Sequence, residues 1–142
     1  MNKSQLLRAC NYILPGITAI ILASGIQLEV ASGAFPIWIW VHIFIGILFF
    51  GFIGWHLYLH FRWRNWFGAL WEQKSPVTRW LTLFGILTLI TAVIATVAWI
   101  GSPVHSKIGA IHGKLGVIFV ILSIGHLLRR INYYRKTHRN KR

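Results

Sequence analysis

The sequence predicts an all-α protein, an integral membrane four-helix bundle formed as a single domain over residues 1–142. Three observations predict it. The chain is 56% hydrophobic and only 12% charged, with a mean hydropathy of +0.60, too apolar for a water-soluble globule of this size. Four apolar runs, at about 10–29, 36–61, 80–101 and 105–131, meet the ~17–25 residues that a helix needs to cross a bilayer. Those runs lack the polar alternation of a membrane β-barrel, and helices are the other way to satisfy every backbone group in lipid.

The net charge of +13 raises nucleic-acid binding as a function class, and the placement of the charge argues against it. With four spans both termini share a side, and so do thirteen of the fifteen Lys and Arg residues. Lys107 and Lys114 alone lie towards the other side. The positive-inside rule then makes the termini and the 62–79 connection cytoplasmic. The basic segment 132–142 reads as a mobile cytoplasmic tail drawn to anionic lipid, not as a nucleic-acid arm.

The first span is expected to start near Asn11, with Pro15 in its first turns, where a missing N–H costs little. It holds no histidine, and its expected role is packing. The single cysteine, Cys10, rules out an internal disulfide and reads as a small buried side chain. Residues 31–34 (ASGA) look like a signal-peptidase site, but the apolar run before them is long for a signal, so 10–29 reads as a retained anchor. Glu29, the one acid on the outer side, is either solvated or a proton acceptor for a quinol.

A short loop makes the first two spans antiparallel neighbours. Trp38 and Trp40 mark the outer interface, and the second span runs inward through His42, Gly46, Gly51, Gly54 and His56. Residues 62–79 carry Trp63, Trp66, Phe67, Leu70 and Trp71 among basic residues, the pattern of an amphipathic helix on the headgroups that Pro76 ends. The third span begins at Trp80 and offers Thr88, Ala92, Ala95 and Ala98 as a small-residue packing face. The fourth passes through His112, Gly113, Gly116, Gly125 and His126 to Arg129 and Arg130.

Histidine inside lipid is costly and points to function. Fourteen residues separate His42 from His56, and fourteen separate His112 from His126. At ~1.5 Å and ~100° per residue, each interval is a rise of ~21 Å and a turn ~40° short of four full turns. Each span thus presents two imidazoles on one face at two depths. Spans two and four run in the same direction, so His42 falls level with His112 and His56 with His126. A di-iron bundle wants several carboxylates, and the chain has two acids in all, Glu29 and Glu72. A closed zinc site wants four ligands around one ion. Two imidazoles at each level suit an iron porphyrin, whose four nitrogens complete the octahedron. No C-x-x-C-H motif is present, so the expectation is two non-covalent b-type haems stacked between the second and fourth spans. His42 and His112 would hold the outer iron, and His56 and His126 the inner one.

The flanking residues leave choices open. Gly46 and Gly116, each four residues past an outer histidine, make room for a flat macrocycle, and helix packing accounts for them equally. His60 lies eighteen residues after His42, five whole turns, and competes with His56. The matched fourteen-residue offset favours His56. Arg62, Arg64, Arg129 and Arg130 are candidate partners of the inner propionates, and Lys107 or Lys114 of the outer ones, with snorkelling to headgroups as the plainer use. His105, Lys107, Lys114 and Glu29 are the catalytic candidates at the outer mouth.

His42, Gly46 and His56, together with His112, Gly116 and His126, resemble the small bacterial four-helix di-haem b-type cytochromes. That superfamily includes the cytochrome b subunits of quinone-linked oxidoreductases, and the nearest likeness is to the short flavinylation-associated cytochromes. The resemblance covers nearly all four spans and rests on the paired histidines and their spacing. It implies a bacterial inner-membrane protein passing electrons between a quinone pool and a redox partner, in that group an extracytoplasmic flavoprotein.

Bis-histidine ligation leaves iron no open position, so electrons would pass through the haem edge and oxygen would not bind the metal. The expected function is therefore transmembrane electron transfer between quinol or quinone and an extracytoplasmic partner. The alternatives are a quinone-linked oxidoreductase working at the outer haem edge, as a superoxide oxidase or ferric reductase, or a haem-free membrane scaffold or proton carrier.

Overall fold

The computed structural model describes residues 2–30, 36–60, 68, 76–101 and 107–139. They form four helices: α1 (Lys3–Val30), α2 (Pro36–His60), α3 (Pro76–Gly101) and α4 (Lys107–Arg139). Each contains a stretch long and apolar enough to cross a membrane: Gln5–Val30, Pro36–Leu59, Pro76–Gly101 and Lys107–Arg129. Large apolar side chains such as Phe44, Ile47, Val97 and Ile121 are exposed, the arrangement of a protein whose solvent is lipid.

Three helix limits differ from the sequence expectation. α1 begins at Lys3, well before Asn11, so Pro15 lies inside the helix. The start is set by a reciprocal cap. The Gln5 backbone N–H donates to Asn2 Oδ1 at 3.0 Å, and the Asn2 N–H donates to Gln5 Oε1 at 2.9 Å. The exchange satisfies two backbone donors at the helix start, and Pro15, about three turns further on, removes one bond from the interior. α3 begins at Pro76, not Trp80. A proline fits the first helical position because its N–H would have no partner there, so Pro76 opens a helix where the sequence suggested it closes one. The rest of the expected interfacial helix lies outside the described residues, apart from helical Gly68. Finally, α4 continues past Ile131 to Arg139, where a mobile tail was expected. Residues 131–139 contain no glycine or proline to stop it.

The chain divides into two compact units, Met1–Glu72 with Trp99–His105, and Gln73–Ala98 with Ser106–Arg142. In the first, α1 and α2 pack as an antiparallel pair. Cys10, fully buried, sets its thiol 3.9 Å from the Phe52 carbonyl. A Cβ built at Gly46 would lie 3.8 Å from Ile21 Cδ1, and Ser24 meets His42. Position rises along α1 as it falls along α2, as the short connection requires. In the second unit, α3 and α4 are antiparallel by the same reasoning: Gly85 faces Phe119, and Thr88 and Thr91 face His112. Gly85 permits a close approach. A Cβ there would stand 3.0 Å from the Phe119 ring, which is itself buried.

Candidate haem ligands

The four sequence-predicted ligands fall into two sets. His42 and His56 stand on α2 in the first unit, and His112 and His126 on α4 in the second. Both intervals are unbroken helix, so each pair shares a face across a rise of ~21 Å. All four side chains are half-buried. Nδ1 of His56 is shut away from solvent.

His42 and His112 are each met by the helix that packs beside them. Nδ1 of His42 lies 2.8 Å from Ser24 Oγ on α1. Nδ1 of His112 lies 3.2 Å from the Thr88 carbonyl oxygen and 3.4 Å from Thr91 Oγ1, both on α3. Ser24 and Thr88 are also the two buried polar residues among those described. From sequence, α1 has a packing role and Thr88 belongs to a small-residue face. Neither Ser24 nor Thr91 was picked out as a partner of a histidine.

The donor set fits a haem. Among the described residues no three His, Cys, Asp or Glu side chains gather as the ligands of a bare ion. A group that brings four in-plane nitrogens asks the protein for two more, and imidazole supplies them. A ligating histidine ordinarily donates its other ring N–H to a fixed oxygen, and Nδ1 of both His42 and His112 has such an oxygen within reach. Gly116 follows His112 by one turn, and a Cβ built there meets nothing within 4 Å. The same holds at Gly51, Gly54, Gly113 and Gly125. Gly46 differs, since its vacant side faces Ile21 on α1.

The remaining candidates lie at the ends of the helices. Glu29, in the last turn of α1, is exposed, as are Lys107 at the start of α4 and Lys114. Lys114 is two residues past His112, so it stands ~200° round α4 on a different face. Arg129 is exposed and follows His126 by about one turn. His60 ends α2 and Arg130 lies in α4, with the side chains of both outside the described residues, as are Arg62, Arg64 and His105 altogether. In comparisons with family models, curated proteins and solved structures, nothing matches this chain.

Proposed function

We propose that this chain is a di-haem electron-transfer protein of a bacterial inner membrane, with both termini cytoplasmic. His42 and His112 ligate the outer haem b, and His56 and His126 the inner one. The observation that carries this reading is the repeated fourteen-residue histidine interval, set in two of four helices apolar enough to cross a bilayer. Its support from the fold is the pair of oxygen contacts to Nδ1 of His42 and His112.

Bound in this way, each haem supplies a one-electron iron couple. The chain's own residues do the rest. His42, His112, His56 and His126 would hold the two irons and leave them no open position for a small ligand. α1 and α3 hold the outer rings in place through Ser24, Thr88 and Thr91. The apolar helices exclude water, which favours electron exchange at the haem edges over side reactions. A quinol or quinone in the membrane and an extracytoplasmic redox protein are the proposed electron partners.

A pyridine haemochrome assay on purified protein tests the reading. Two haems b per chain, with b-type bands in the reduced-minus-oxidised spectrum, is the expected result. A haem-free protein would overturn it and leave the scaffold or proton-carrier reading. Quinol-dependent reduction, measured with and without superoxide, then separates a carrier from an outer-edge oxidoreductase.

A further inference from the structure

Resting on that reading, we propose that Ser24, and Thr91 with the Thr88 carbonyl, are positioning groups that fix one tautomer of His42 and His112. In that tautomer the proton sits on Nδ1 and the lone pair on Nε2, the form in which an imidazole binds iron.

The proton count carries the assignment. Ser24 has one hydroxyl proton, and its Oγ donates to the Ile21 carbonyl at 2.8 Å. The same oxygen, with its lone pairs, lies 2.8 Å from His42 Nδ1, so the ring nitrogen is the donor. On α3 the partner is a carbonyl, which can only accept. Thr88 O at 3.2 Å therefore takes a proton held by His112 Nδ1. Thr91 donates to the Leu87 carbonyl at 2.8 Å, which leaves its Oγ1, 3.4 Å from Nδ1, as a second acceptor. A neutral imidazole protonated on Nδ1 carries its lone pair on Nε2.

Two different helices, using a hydroxyl on one and a carbonyl on the other, thus settle the same nitrogen of two histidines. Of the two buried polar residues among those described, Ser24 turns its hydroxyl oxygen to His42, whereas Thr88 lends His112 its backbone carbonyl and donates its own hydroxyl to the Phe84 carbonyl. Polar groups are costly in a membrane interior, and here each stands against one ligand of the outer haem. Both acceptors are neutral oxygens, not carboxylates. They orient the ring and make it a somewhat better donor to iron without drawing the proton away. Losing the acceptor makes the ligand a poorer donor, which favours ferrous iron and raises the haem potential.

The test uses the full-length, haem-loaded protein. Ser24→Ala is expected to weaken haem binding at one site by about tenfold, in line with other outer-shell partners of metal ligands. It also raises the midpoint potential of one haem and leaves the other where it was. Ser24→Thr restores both properties. Thr91→Val raises the potential of the same haem by a smaller amount. Thr18→Val, whose hydroxyl bonds only within α1 to the Leu14 carbonyl, is the control and shifts neither haem. Unchanged potentials and low-spin resonance signals in Ser24→Ala would overturn the proposal, as would a changed Ser24→Ala that Ser24→Thr fails to rescue. A readout that needs no haem keeps this separate from the functional reading. Nitrogen-15 spectra of the full-length haem-free chain should show protonated Nδ1 and bare Nε2 at His42 and His112. Protonated Nε2 would refute the tautomer assignment, whereas a wild-type protein that takes up no haem refutes the function.

Discussion

Replacing any one of the four histidines has a defined outcome. His42→Ala and His112→Ala should each reduce the haem content from two per chain to one and remove the same spectral component, while His56→Ala and His126→Ala remove the other. The double variant of either pair should be no worse than its single members, because partners on one iron fail as a unit. A different spectral grouping would break the pairing. Gly116 offers a second check. A Cβ there meets no protein atom within 4 Å, so Gly116→Leu should leave the melting temperature of haem-free protein unchanged and lower haem occupancy. Equal occupancy would mean that the vacant side of Gly116 does not face the macrocycle. The histidines were legible in the sequence because an imidazole in an apolar run stands out against every neighbour. Their hydroxyl partners were not. Thr18, Thr82 and Ser123 each bond a carbonyl one turn back on their own helix, the ordinary habit of a hydroxyl in lipid. Ser24 and Thr91 do the same towards Ile21 and Leu87 while also reaching a histidine. Composition does not distinguish the two groups; only the neighbouring helix does.

At the scale of whole helices, apolar length made all four spans readable, and their ends were harder. The Asn2 and Gln5 cap is four residues of sequence with no apolar periodicity to announce it, and Pro15 drew the expected start inward. Pro76 allows either an end or a beginning, since it lacks the N–H that a helix interior needs and a first position does not. Packing between helices in lipid draws on close contact more than on hydrophobic burial. Among the described glycines, Gly85 is the one at which an added Cβ would meet its nearest neighbour at the shortest distance. Gly85→Ala would drive a Cβ to 3.0 Å from Phe119 and should cost ~1–3 kcal/mol, seen as a lower melting temperature. Phe119→Leu, placed in the same chain, should recover part of the loss. Gly46→Ala, whose Cβ would meet Ile21 at an ordinary 3.8 Å, should leave the α1–α2 pair intact.

For the molecule as a whole, the charge distribution sets the orientation we propose. Thirteen of fifteen Lys and Arg residues lie on the side of the termini, so a reporter that works only outside the cytoplasm should stay silent when fused after Arg142. Placed in the 102–106 connection, the same reporter should be active. The reverse pattern would turn the protein over, and with it the assignment of outer and inner ligands. α4 adds a mechanical consequence. Its 33 residues make a rod of ~50 Å, against ~30 Å of hydrocarbon. No proline or glycine interrupts it after His126, so the stretch past the apolar span and His126 within that span share one axle. Whatever grasps the cationic end and twists it also twists the imidazole.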